Sequence, residues 1–165
     1  MYVPMQIEKA RTPPSSRGTS RNTPLSILHV EDNADDQILY QAAAKQAGVP
    51  IQWHVAESAD IGISHLKNIT AHNGKRHSGG VDLVLLDLVL PDQSGVAVLK
   101  YIRNSPELNR IPVVALTGDT NPVTLKEAHE SGVNALHQKP PKFEDSVTLM
   151  HTLYTHWSNA ARPDP

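Results

Sequence analysis

The sequence contains no cysteine, a single phenylalanine and two tryptophans, and no apolar run long enough to cross a bilayer. The first absence removes disulfides and thiolate metal sites and agrees with a reducing compartment. The last, with an N-terminus that has no apolar segment of secretory type, points to a cytoplasmic protein with no membrane role. There is no charge excess either: 15 Lys and Arg stand against 17 Asp and Glu. Such a balance offers no basic surface to neutralise a phosphate backbone, so nucleic acid is not an expected partner.

The 165 residues suffice for one domain with tails. Residues 1–24, rich in Pro, Ser, Thr and Arg, have little to bury and read as a disordered extension; residues 159–165 read as a frayed tail. Between them, over 25–158, short apolar runs alternate with helical patterns. "LSILHV", "IQWHV", "VDLVLLDLVL", "IPVVALTG" and "NALHQ" are the strands. The helices that follow them carry end signals: Gly48 past the first, Ser94 before the third, and Asn121, Pro122 and Gly132 around the fourth. In the last helix Phe143, Val147, Met150, Tyr154 and Trp157 form the expected buried stripe. The polar loop "TAHNGKRHSGG" contains His72 and His77 without acidic neighbours, and reads as solvated rather than metal-binding.

Five strand–helix units predict an α/β fold, a flavodoxin-like doubly wound five-stranded parallel sheet. Ligands in such sheets gather at the carboxyl ends of the strands. This sequence places Glu31 and Asp32 after the first strand, Asp87 at the end of the third, Thr117 after the fourth and Lys139 after the fifth. Asp87 is the odd residue, a carboxylate inside an aliphatic run, where burial without a partner costs several kcal/mol. Clustered carboxylates repel unless a cation is present, and an oxygen-only set suits Mg²⁺. An ionised Asp beside a cation is a competent phosphoryl acceptor, with Lys139 and the Thr117 hydroxyl placed to stabilise phosphoryl oxygens. Gly118, without a side chain, leaves the approach open.

"ILHVEDN", "LVLLDLVLPDQSG", "VVALTG" and "QKPPKF", in this order and at these separations, resemble the response regulator receiver domain of two-component signalling. The resemblance implies strand order 2-1-3-4-5, phosphorylation of Asp87 by a histidine kinase, and Mg²⁺ on Glu31, Asp32, Asp87 and the backbone carbonyl of Val89. It implies phosphate readout by Thr117 and Lys139, and a Lys139–Pro140 bond of the cis type frequent in the family. It makes the chain a signalling domain that catalyses only its own phosphorylation and dephosphorylation. Leu136 stands where many receivers carry a switch aromatic. Val89 and Asp119 occupy the positions that tune loss of the phosphoryl group, and Val89, unable to orient a water, predicts slow loss.

The long loop before the third strand, with "LPDQSG" and "SPELNRIPVVALTG", is similar to stand-alone regulators of bacterial phytochrome-type kinases. Some of these dimerise through the fourth helix, fifth strand and fifth helix, so a homodimer is an expectation here. With no further module after the fifth helix, output is expected through a downstream protein. Two alternatives stay open: a shuttle that passes phosphate to a histidine phosphotransfer protein, and a constitutive adaptor that is never phosphorylated. A haloacid dehalogenase-type phosphatase is disfavoured because Val89 stands where that family needs a second Asp. A purely structural Asp87–Lys139 ion pair explains each residue singly but not the convergence of five.

Overall fold

The computed structural model describes residues 23–71 and 80–158. The expectations for residues 1–22 and 159–165, and for His72 and His77, lie outside the described residues. Ten elements alternate: β1 (Leu25–Val30), α1 (Ala34–Gln46), β2 (Ile51–Ala56), α2 (Ala59–Ala71), β3 (Leu83–Leu86), α3 (Gly95–Asn104), β4 (Val113–Thr117), α4 (Pro122–Glu130), β5 (Ala135–Gln138) and α5 (Phe143–Trp157). The strands form one parallel sheet in the order β2-β1-β3-β4-β5.

Alternation along each buried strand divides the core in two. Leu28, Val30, Val84, Leu86, Val113, Ala115 and Leu136 face Leu66 of α2, Leu99 and Ile102 of α3 and Ala128 of α4. Leu25, Ile27, Leu83, Leu85, Val114 and Leu116 face Tyr40 and Ala43 of α1 and Leu149, Met150 and Trp157 of α5. A central strand covered on both faces needs apolar side chains at successive positions, which is why the β3 run lacks polar alternation. Burying one of its leucines contributes roughly 1.5–3 kcal/mol.

The helix ends follow the sequence signals. Ser94 and Asn121 accept from the amides of Val96 and Val123, and Gly48 and Gly132 adopt φ of +69° and +89° just past α1 and α4. Three expectations need correction. β3 stops at Leu86 although the apolar run continues, because the Asp87 amide makes the last bond to Val30 O and β1 then turns away into α1, leaving no ladder partner on that side. In α5 the buried positions are Ser146, Leu149, Met150, Leu153 and Trp157, while Phe143 is exposed and Val147 and Tyr154 are half-buried. Phe143 opens the helix and has no preceding turn to cover it. The Lys139–Pro140 bond is trans, the intrinsically favoured isomer, and Lys139 reaches its partners from it.

Candidate functional site

Parallel register assembles the site. Val30 lies beside Leu86 and Leu86 beside Ala115, so the residues that leave the first and third strands, Glu31 and Asp87, emerge side by side. Thr117 lies beside Gln138, which brings Lys139 to the same edge, and the Lys139 amide donates to Thr117 O at 2.8 Å. All five residues singled out in the sequence meet there.

Asp87 is buried, and every oxygen of its carboxylate is occupied. Oδ2 accepts from Lys139 Nζ at 2.7 Å; Oδ1 accepts from the Val89 amide at 3.0 Å and from Thr117 Oγ1 at 3.3 Å. Thr117 is itself held by the Asp119 amide, which donates to its Oγ1 at 3.0 Å. The Lys139 ammonium also bonds Glu31 Oε2 at 2.8 Å and Asp36 Oδ2 at 2.7 Å. One ammonium is thus shared among three carboxylates, which answers the cost of burying Asp87 among leucines.

The electrostatics follow from this sharing. Burial opposes the Lys139 charge, but the hydrogen bonds to Asp36, Asp87 and Glu31 outweigh it and its pKa moves up. Glu31, with Oε1 accepting from the Asn33 amide at 3.1 Å, is almost fully buried. Burial pushes its carboxyl up to about 7, against the opposing hydrogen bonds from Lys139 and Asn33. Asp32 beside it is exposed.

Glu31, Asp32 and Asp87 each offer an oxygen, and the three lie within 4.8 Å of one another. This oxygen-only, partly open donor set fits a hard divalent cation such as Mg²⁺, which takes a few carboxylates and keeps waters. Val89, whose backbone carbonyl the resemblance adds to that set, lies two residues beyond Asp87 and is exposed.

Asp36 is a site residue that the sequence reading missed. An acid in the first turn of a helix is ordinarily explained by the helix dipole. The available signal was position: Asp36 lies in the first turn of α1, which begins directly after the acid pair Glu31 and Asp32, hence at the same sheet edge. Leu136, in place of the switch aromatic, is buried in the core between β5 and the α2–α4 layer. A Cβ on Gly118 would meet nothing within 4 Å, so the chain itself leaves that position open.

The sequence profile of the response regulator receiver domain matches residues 27–151. The probable methanogenesis regulatory protein FilR2 of Methanothrix harundinacea is 35% identical over 139 residues, 81% of this chain and 84% of that protein. Response regulator Rcp1 of Synechocystis is 29% identical, covering 82% of this chain and 90% of its own length. The crystal structure of its Mn²⁺-bound form superposes with a TM-score of 0.67, covering 81% of this chain and 94% of that one. The phosphorylated cyanobacterial phytochrome response regulator RcpA superposes with a TM-score of 0.70 at 28% identity, over 82% and 95% of the two chains. A match of that extent, over a sheet of the same order and layering, settles the family: the chain belongs to the response regulator receiver domains of two-component signalling.

Proposed function

We infer that this chain is a phospho-accepting regulator in which Asp87 takes a phosphoryl group from a histidine kinase and passes the signal on by protein contact. The observation that carries the reading is the Asp87 carboxylate itself, held at the end of β3 by Lys139, Thr117 and the Val89 amide, with Glu31 and Asp32 within ligand reach. In the transfer an Asp87 oxygen bonds to the phosphorus of a phosphohistidine as the P–N bond breaks; the imidazole nitrogen leaves with the electron pair and takes up a proton. The residues that would hold Mg²⁺ are Glu31, Asp32, Asp87 and the Val89 carbonyl, and the ion, when bound, supplies charge neutralisation for the phosphoryl oxygens. Thr117 turns its hydroxyl from Asp87 to a phosphoryl oxygen. Lys139 exchanges part of its carboxylate shell for the same group, so it reports the new charge to β5.

The description of RcpA as a phytochrome response regulator supports a phytochrome-type kinase as donor. Residues 25–158 form the receiver unit in this reading. A homodimer through α4, β5 and α5, an unidentified downstream protein and action in the cytoplasm complete it. The chain is no enzyme toward other substrates.

The test is intact-mass spectrometry after incubation with acetyl phosphate, with and without Mg²⁺, on the wild type and Asp87→Asn. A Mg²⁺-dependent phosphoryl adduct on the wild type alone is the expected result. No adduct under conditions that modify a control receiver would leave Asp87 as a structural ion-pair partner of Lys139 and make the chain a constitutive adaptor.

A further inference from the structure

Residues 87–94 connect β3 to α3 and carry Val89, so the Val89 carbonyl is placed by whatever fixes this loop. Its base is fixed by its own backbone. The Val89 amide donates to Asp87 Oδ1 at 3.0 Å, the Gly95 amide to Leu88 O at 3.0 Å, and Val89 and Ser94 form an antiparallel bridge. The tip has no such support. Pro91, Asp92 and Gln93 are all exposed, so packing does not locate them.

What holds the tip is α2. Asp92 Oδ1 accepts from the Ala59 amide at 3.0 Å and Oδ2 from the Asp60 amide at 2.9 Å; Gln93 Nε2 donates to Asp60 Oδ1 at 2.7 Å. The first turn of a helix presents four amides without intrahelical partners. In α2 three of them are held, Ala59 and Asp60 by Asp92 and Ile61 by Ser58 Oγ at 3.2 Å, while the Gly62 amide begins the helix ladder on Ser58 O at 3.0 Å. Two of these three caps therefore come from a side chain 32 and 33 residues away in sequence, on the loop that leaves Asp87. A carboxylate bonded to two amides at the positive end of a helix is a charge-assisted, geometrically defined contact. Desolvation acts to raise the Asp92 pKa, but the amides of Asp60, Ala59, Asp92 and Gln93 prevail and lower it, in keeping with an ionised cap.

We propose that Asp92 is a positioning residue for the cation site: by clamping the tip of the β3–α3 loop to the first turn of α2, it sets the orientation of the Val89 carbonyl toward the ion. The proposal rests on the metal set named above. A local helix N-cap would occupy the position just before the helix, where Ser58 already stands. Asp92 reaches over from another loop, so its contacts constrain the loop as much as the helix. Outer contacts that orient metal ligands are commonly worth tenfold or more in affinity.

The experiment measures Mg²⁺ affinity by isothermal titration calorimetry on the full chain, with the metal-free melting temperature in parallel. The proteins are the wild type, Asp92→Ala, Asp92→Asn and Ser58→Ala. Expected is about tenfold weaker Mg²⁺ binding in Asp92→Ala and an intermediate loss in Asp92→Asn, which keeps one acceptor. Ser58→Ala, which removes the other side-chain cap of the same turn, lowers the melting temperature but leaves the affinity in place. Wild-type affinity in Asp92→Ala, or an equal loss in Ser58→Ala, overturns the proposal while the cation site stands. A wild type that binds no Mg²⁺ overturns the cation site itself and the proposal with it.

Discussion

Lys139 is the residue on which the charge balance of the site turns, and Glu31 is the residue that makes the balance depend on pH. An oxygen ligand must be ionised to hold a cation. With the Glu31 carboxyl raised to about 7, ionisation rises from roughly a tenth at pH 6 to nine tenths at pH 8. Mg²⁺ binding is therefore expected to tighten about tenfold over that range and to release a proton. Calorimetry in two buffers of different ionisation enthalpy reads both quantities, and an affinity that does not change between pH 6 and 8 rules the ionisation out. Single residues were also where the sequence was most and least legible. Asp87 announced itself because a carboxylate in an aliphatic run demands a partner. Asp36 and Asp92 did not, since an exposed or helix-start acid has an ordinary explanation on its own. Their roles come from amides and an ammonium that only the fold brings near.

Among the secondary-structure elements, the approach of α3 to the end of β3 is tight enough to dictate one residue. A Cβ on Gly95 would lie 2.0 Å from Asp87 O and 2.9 Å from Leu88 Cα, both backbone atoms that cannot move without displacing Asp87. Gly95→Ala is expected to cost about 1–3 kcal/mol or more in urea unfolding. Gly118→Ala, where the added methyl projects into open space, is the comparison and should be close to neutral. Equal stabilities of the two variants would contradict the packing. Caps and strand runs were readable because they depend on local chemistry: Ser94, Asn121 and the two positive-φ glycines stand where their residue types predicted. The α5 stripe was only partly readable. A sequence offers two adjacent apolar registers there, and the choice of Leu149 and Leu153 over Phe143 and Tyr154 is made by the sheet against which the helix lies.

For the molecule as a whole, topology was legible because strand–helix alternation leaves few allowed windings. Its response to acid was not, because that is a sum over buried groups of opposite sign. His29, in the α1-facing layer beside Tyr40 and Trp53, has its pKa lowered to about 4, chiefly by burial. A folded value below the unfolded one means that its penalty is absent above about pH 6.5 and grows as pH falls toward 4. Glu31, with a folded value above the unfolded one, works the other way and favours the folded chain as pH falls from about 7. The two nearly offset each other between pH 7 and 5. His29→Leu should therefore gain about 2 kcal/mol relative to the wild type on going from pH 7 to pH 5, read from denaturant titrations of both proteins in the absence of metal. A constant difference between them would show that His29 is not held neutral.

The shared ammonium has a consequence in time. Lys139 pairs with Glu31 and Asp36 across 108 and 103 residues of chain. At roughly 5–20 residues per second on the ribosome, the first acids emerge many seconds before their counterion. Until the fifth strand is synthesised the carboxylates face one another without it. On the function proposed above, a nascent or truncated chain therefore has no working acceptor, and Asp87 becomes chargeable only once the last strand has joined the sheet.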